Sequence, residues 1–220
     1  LGGTPGTIRI ATQELESTVT ITMPANQFNP LTNPNGFQDI VRVIPANSND
    51  AVVLTDYIDT HLNPNPDPFV ENRVVNISGI NDLGLHITAT NVVNIYYEVN
   101  NEEGSDLWTL KGRNGIGKIF YAPLLDVDLR DEIPQPYAAI DIVATSDNTE
   151  VTITPPVGRD AHFGSALNLI PGGVPRTILI PKRGQTLSIF PANFSRLAGD
   201  QLGGTKIVST KDIAVTVNAD

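Results

Sequence analysis

Three aspartates close together could take part in metal chemistry. Asp126, Asp128 and Asp131 lie within one short stretch, DVDLRDE. Calcium binds about six to eight oxygen ligands, and closely spaced carboxylates can supply several of them. The EF-hand spacing is absent, however, and Arg130 would compete with a cation. The stretch therefore predicts either a calcium site or a solvated acidic linker, and the sequence indicates no other cofactor.

Two aromatic residues are candidates for ligand binding, because an aromatic ring can lie flat on a sugar. Tyr96 alternates with Ile95 and Tyr97, so its ring is predicted on the outer face of a strand. Trp108 is the only tryptophan and shares a face with Leu110, which favours core packing over ligand contact. Only 6 % of the residues are aromatic, which gives no dense platform for a carbohydrate. A lectin-like domain is therefore the alternative interpretation of function.

The sequence shows no set of catalytic residues. Its three histidines are predicted on a strand's outer face (His86) and in polar loops (His61 and His162). No serine occurs in the G-x-S-x-G pattern of a nucleophile elbow. The chain has no cysteine, which excludes a thiol nucleophile and a thiolate zinc site. We therefore expect a protein that is not an enzyme.

Composition excludes two classes of partner. The formal net charge is −10, and an acidic surface repels the phosphates of nucleic acids. No apolar run approaches the roughly 20 residues that a membrane-spanning helix needs, so membrane insertion is not expected. The hydrophobic fraction of 40 % is sufficient for a buried core.

The elements that position these residues are predicted to be β-strands. Apolar residues recur at every second position, as in STVTITM (Ser17–Met23) and NIYYEV (Asn94–Val99). These runs are rich in Val, Ile and Thr, which suit a pleated, half-buried surface. The 17 prolines and 18 glycines indicate many short strands joined by turns. Five glycines are predicted to permit turns, namely Gly84, Gly112, Gly115, Gly117 and Gly204.

The sequence contains an internal repeat of several predicted strands. GLHITATNVVNIYYEV (Gly84–Val99) is echoed 120 positions later by GTKIVSTKDIAVTV (Gly204–Val217), and both are predicted as hairpins. Ile8–Ile10 recurs 132 positions later as Ile140–Ile142. We therefore predict an all-β chain of two tandem, related β-sandwich-like units, 1–118 and 119–220, with a bridge at about 118–140. The predicted core includes Ile87, Ile95, Ile153, Ile207 and Val215.

Seven segments within residues 80–220 form a recognisable set: ITATN (Ile87–Asn91), YYEV (Tyr96–Val99), SD (Ser105–Asp106), LKGRNGIG (Leu110–Gly117), FYAP (Phe120–Pro123), DIVATSDNTEVTITP (Asp141–Pro155) and GTKIVSTKDIAVTV (Gly204–Val217). In order and spacing they resemble a known family, the N-terminal domain of IgGFc-binding proteins, in the form found in large type IX-secreted gliding adhesins of Bacteroidota. The likeness covers most of 80–220. The resemblance implies a β-rich, non-catalytic module of a surface protein. It implies no catalytic residues.

These observations combine into one functional expectation. We expect the chain to be a structural spacer and binding region of an extracellular bacterial adhesin, with a role in gliding motility. Its expected partners are neighbouring domains of the same long polypeptide and a surface protein or glycan. The loops Asp56–Arg73 and Asp126–Glu132 are expected to offer variable contacts. The ends, LGGTPG and VTVNAD, are interpreted as cuts within a longer chain.

Overall fold

A computed structural model describes residues 6–54, 79–101, 104–124, 138–192 and 201–219. These residues form sixteen β-strands and two short 3₁₀ turns, with no α-helix among them. They divide into two compact units. The N-terminal unit contains described residues 6–54, 85–101 and 104–115, and the C-terminal unit contains 79–84, 116–124, 138–192 and 201–219. The all-β fold class is confirmed.

The N-terminal unit consists of two antiparallel sheets. Strands are numbered in chain order over the whole protein. Sheet 1 has the order β4-β1-β7-β8 and sheet 2 the order β3-β2-β6. The strands of this unit are β1 (Thr7–Thr12), β2 (Ser17–Thr22), β3 (Ile40–Ile44), β4 (Asn49–Val53), β6 (His86–Ala89), β7 (Val93–Asn101) and β8 (Gly104–Thr109).

The core of the N-terminal unit follows from the period-two pattern. Ile8 and Ile10 of β1 and Val19 and Ile21 of β2 are each 1 % exposed and belong to one hydrophobic cluster. Alternate side chains of a strand point to the same face, so each sheet turns one apolar face towards this cluster. Ile87 and Ile95 pack against it and are partly buried. Both were predicted in the core, and both predictions are confirmed.

The C-terminal unit contains one continuous antiparallel sheet. Its main path is β13-β12-β15-β10-β16-β11-β14, with β5 paired to β15 and β9 paired to β16. The strands of this unit are β5 (Ile80–Asn81), β9 (Ile116–Tyr121), β10 (Ala138–Ala144), β11 (Thr149–Thr154), β12 (Ala161–Phe163), β13 (Ser165–Ile170), β14 (Arg176–Ile180), β15 (Thr186–Pro191) and β16 (Lys206–Ala219). Ile153 and Ile207 are 0 % exposed in its core, and Val215 packs against it, as predicted.

The internal repeat extends to strand pairing and register. Ile10 lies opposite Ile95 in the N-terminal unit, and the equivalent Ile142 lies opposite Val215. Val19 opposite Ala89 is repeated as Val151 opposite Ser209. Ile21 opposite Ile40 is repeated as Ile153 opposite Arg176. The pairing of β1 with β4 recurs between β10 and β15 with a shift of one residue.

One backbone-to-side-chain hydrogen bond recurs with the register. The Thr18 N–H donates to Oγ1 of Thr90 at 2.9 Å, and the Glu150 N–H donates to Oγ1 of Thr210 at 3.0 Å. Glu150 lies 132 positions after Thr18, and Thr210 lies 120 positions after Thr90. The two units therefore share local chemistry as well as strand order.

The prediction of a repeated hairpin is wrong. In the first copy, β6 pairs with β2 in sheet 2 and β7 pairs with β1 in sheet 1, so the chain crosses between sheets. In the second copy, both runs belong to the single strand β16, whose first part pairs with β11 and whose second part pairs with β10. The polar residues between the runs reverse the chain in neither copy.

The predicted unit boundary at 118 stays a prediction. Two strand pairings show to which sheet β5 and β9 belong. Ile80 and Asn81 pair with β15, and β9, which begins at Ile116, pairs with β16. The predicted N-terminal unit therefore contains β5 and the beginning of β9, which belong to the sheet of the C-terminal unit. Much of the predicted bridge, residues 125–137, lies outside the described residues.

The glycine predictions are confirmed at two positions. Gly112 and Gly204 have φ angles of 55° and 83°, in a region that residues with a Cβ atom rarely adopt. Gly84 is required for a different reason, because a Cβ there would lie 2.5 Å from the Gly184 carbonyl oxygen. The turn prediction is wrong for Gly117, which lies within β9. Gly115 lies in a 3₁₀ turn without a positive φ angle.

Candidate binding face

The side of sheet 1 that points away from the core carries an aromatic and charged surface. Cross-strand register places Val53, Glu98 and Leu107 in one row and Arg9 and Tyr96 in the next. We call these five residues the outer face. Val53 and Leu107 are 43 % and 56 % exposed, and Tyr96 and Glu98 are half-buried. The alternation of β1 and β7 creates this face, because Ile8, Ile10 and Ile95 turn inward.

An ion pair spans the two central strands of the outer face. Arg9 Nε donates to the Glu98 carboxylate, and Arg9 lies directly opposite Tyr96. The Arg9 side chain is 55 % exposed, so the pair contributes about 0–1 kcal/mol to stability. Its main consequence is positional, because it holds a guanidinium and a carboxylate beside an aromatic ring. Such a combination can contact both apolar and polar groups of a protein partner.

Tyr96 and Trp108, the two predicted ligand-binding residues, do not meet. Trp108 lies opposite Tyr97, with ring centroids 5.8 Å apart and planes inclined by 34°. Tyr97 packs against the core, and its Oη accepts a hydrogen bond of 3.0 Å from the Gly6 N–H. Trp108 therefore lies on the inner side of sheet 1, half-buried, while Tyr96 lies on the outer side. A sugar stacked on one ring cannot contact the other.

The predicted calcium ligands Asp126, Asp128 and Asp131 lie outside the described residues, as does the whole loop Asp56–Arg73. Their roles stay predictions. Within the described ranges, no group of three or more His, Asp or Glu residues is placed to hold a metal ion.

Two of the three histidines lie within the described residues, and their surroundings differ. His86 is exposed on β6, as predicted. His162 was predicted in a polar loop, and that prediction is wrong. It lies in β12, is 7 % exposed, and stacks on Phe190 at 5.5 Å. Burial lowers the pKa of His162 below its ordinary value of 6.5, because the charged imidazolium loses hydration.

The ion pair between Arg9 and Glu98 was missed by sequence reasoning. The signal was present: Arg9 alternates with Ile8 and Ile10, and Glu98 is two residues after Tyr96. Both residues could therefore be placed on outward faces. What the sequence did not show was that β1 and β7 are neighbours in one sheet.

Comparison with known proteins identifies one family. A sequence model of the IgGFc binding protein family matches residues 109–219. No curated protein and no solved structure matches the chain significantly. Domains of this family are binding domains not known as enzymes, and they are typically extracellular. Among the residues described, no helix has the length and apolar character required to cross a bilayer.

Proposed function

The chain belongs to the IgGFc-binding protein family, and we propose that it is a non-catalytic spacer and binding module of a large bacterial surface adhesin. Family membership over residues 109–219 is the observation that carries this proposal. We further propose export by type IX secretion and a role in gliding motility. The family name refers to immunoglobulin Fc, but the proposed partner is another protein of the cell surface.

The repeated unit supports the spacer role. Each of the two units has its own hydrophobic core, because each buries its own apolar strand faces. Such a unit can therefore be duplicated without further changes to the core residues. Loops and outward strand faces are then free to vary without loss of the fold. Duplication of such a unit lengthens a surface protein at little cost in foldability.

The outer face supports a protein partner over a glycan. It combines exposed Leu107 and Val53 with Tyr96 and the Arg9–Glu98 pair, a composition found where proteins meet. A lectin site built on both predicted rings is disfavoured, because Tyr96 and Trp108 lie on opposite sides of sheet 1. Glycan binding is therefore an outcome of the test and not a second proposal.

Affinity capture with matched variants tests the binding role. The purified 220-residue chain is immobilised and exposed to surface-protein extracts of the organism that encodes it. Leu107→Asp places a charge on the most exposed apolar residue of the outer face, and we expect it to abolish capture of the partner. Val43→Asp is the matched control, because Val43 is 61 % exposed on β3 in the other sheet, and we expect it to retain capture.

Other readouts separate the alternatives. A glycan array is expected to show no binding, and so is immobilised immunoglobulin Fc. Antibodies against the chain are expected to label intact cells. Sugar binding that is lost in Tyr96→Ala would favour the lectin-like alternative, and equal capture by both aspartate variants would exclude the outer face as the binding surface.

A further inference from the structure

Strand β6 pairs with β2 on one side, and among the described residues no strand pairs with Ile87 or Ala89 on the other side. The Thr90 N–H donates to the Thr18 carbonyl at 3.1 Å, which fixes the direction of the groups that precede it. Since N–H groups alternate sides along an extended strand, those of Ile87 and Ala89 point away from β2. We call this side the β6 edge.

The equivalent side of β16 is covered by β9. Ile207 lies opposite Phe120, and Val208 lies opposite Ile119, in an antiparallel ladder. The contact continues past the strand, because the Ala122 N–H donates to Thr205 O at 3.0 Å. The Phe120 side chain packs against the core of the C-terminal unit, and Ala122 is 3 % exposed. The segment 116–124 therefore completes both the ladder and the core.

Burial at equivalent positions shows what this cover contributes. Ile207 and Ile213 of β16 are both 0 % exposed. Their equivalents in the N-terminal unit, Ile87 and Val93, are only half-buried. The side-chain types are the same or nearly so, and the register of β2 and β11 against these strands is the same. The difference corresponds to the presence of β9 in one unit and its lack of a described counterpart in the other.

We propose that the β6 edge is an acceptor site for an extended strand with the chemistry of β9, supplied by another unit of the same kind. The incoming strand runs antiparallel to β6, with an aromatic side chain opposite Ile87, as Phe120 lies opposite Ile207. Main-chain hydrogen bonds to Ile87 and Ala89 supply affinity, and the aromatic ring supplies specificity. The strand β6 contains neither lysine nor proline, the residues that commonly guard a sheet edge against pairing.

The site is distinct from the outer face, which belongs to sheet 1. Strand addition at the β6 edge would join this chain to a further unit, because the edge binds an extended strand of that unit. The same device already operates within the chain, where β9 completes the C-terminal unit. The inference rests on that internal precedent and does not require the proposed adhesive function.

A labelled peptide tests the site. The probe is the decapeptide GIGKIFYAPL, residues 115–124 of this chain, carrying a fluorophore. Fluorescence anisotropy with the whole 220-residue protein is expected to show saturable, micromolar binding. A peptide with aspartate in place of the phenylalanine is expected not to bind, because it loses the apolar contact opposite Ile87.

Two protein variants at Ala89 locate the binding. Ala89→Pro removes the N–H that points away from β2. It is expected to weaken binding of the peptide at least tenfold, which corresponds to about 1.4 kcal/mol. Ala89→Val is the matched control, because it keeps the N–H, and we expect its affinity to match that of the wild type. Hydrogen exchange on the unaltered protein gives an independent readout, since the peptide should slow exchange at Ile87 and Ala89 even where Ala89→Pro fails to fold.

Three results would overturn the proposal. One is the absence of saturable binding, and another is slowed exchange confined to residues outside β6 and its surroundings. The third is a concentration-dependent dimer formed through the β6 edge without peptide, which would make a second copy's β6 the occupant. Binding with slowed exchange at Ile87 and Ala89 supports it.

Discussion

The N-terminal and C-terminal units contain the same four strand pairings but do not bury the same residues. In the C-terminal unit, Ile207 and Ile213 are fully buried, and in the N-terminal unit their equivalents Ile87 and Val93 are half-buried. Register is set by the alternation within each strand and by the turns, and it is the same in three of the four pairings. The fourth, β1 with β4, recurs between β10 and β15 with a shift of one residue. Burial depends also on the neighbouring strands: β9 pairs with β16 in the C-terminal unit, and no described strand takes the same place beside β6. Sequence similarity between copies therefore predicts pairing better than it predicts exposure.

The largest expected effect separates the two units by burial. Ile207→Ala should destabilise the C-terminal unit by about 2–5 kcal/mol, because it opens a cavity in a closed core. Ile87→Ala should cost about 1 kcal/mol, because its side chain is already partly hydrated. Urea unfolding measures both: fluorescence of Trp108, the only tryptophan, follows the N-terminal unit, and circular dichroism follows both units, so a circular dichroism change without a matching fluorescence change reports the C-terminal unit. Equal losses would contradict the difference in burial.

A smaller and pH-dependent effect concerns the C-terminal unit alone. The pKa of His162 is lowered in the folded protein, so the unfolded chain binds a proton more readily as the pH falls below 6.5. The stability contributed by neutral His162 is complete above pH 6.5 and is lost below it, by at most about 1.4 kcal/mol per pH unit. Melting temperatures between pH 7.5 and pH 5.5 measure this loss.

Two histidine variants make that measurement specific. His162→Phe keeps an aromatic ring on Phe190 and should reduce the pH dependence, because no titrating group is left there. His86→Gln is the matched control, because it removes a histidine that lies on β6 in the N-terminal unit. A loss of pH dependence in His86→Gln and not in His162→Phe would assign the titration to the N-terminal unit and contradict the prediction.

The smallest expected effect should be the same in both units. Thr90→Val and Thr210→Val each remove a hydroxyl that accepts a backbone hydrogen bond from Thr18 or Glu150. Each should cost about 0.5–1.5 kcal/mol, because an N–H loses its acceptor. Thermal unfolding of the two variants measures the two losses of stability. A loss in only one variant would show that the hydrogen bond does not contribute equally in the two units.

The sequence predicted much of this architecture because alternation is a local property. Ile8, Ile10, Ile153 and Ile207 are buried as their spacing indicates, and the matches of Ile95 with Val215 and Thr90 with Thr210 hold in space. The sheet to which each strand belongs depends on distant partners and was not predictable in the same way. The supposed hairpins, which turned out to be a crossover and one long strand, show that limit.

The candidate site was less predictable than the fold. Tyr96 is outward as its alternation indicates, but the opposite placement of Trp108 follows from the register of β8 against β7. His162 appeared polar by context, since Arg159 and Asp160 precede it, yet the short strand β12 lies between β13 and β15 and buries it. In both cases a contact between strands far apart in sequence decided the outcome.

Disulfide trapping tests the shared register most directly, because the chain contains no cysteine to interfere. Thr20 lies opposite Val41 in the N-terminal unit, and the equivalent Thr152 lies opposite Thr177 in the C-terminal unit. We predict that the double variants Thr20→Cys with Val41→Cys and Thr152→Cys with Thr177→Cys both form disulfides under mild oxidation. Pairs shifted by one residue, Thr20→Cys with Arg42→Cys and Thr152→Cys with Ile178→Cys, should not. Trapping of a shifted pair in either unit, in place of its in-register pair, would contradict the claim that one strand register was duplicated.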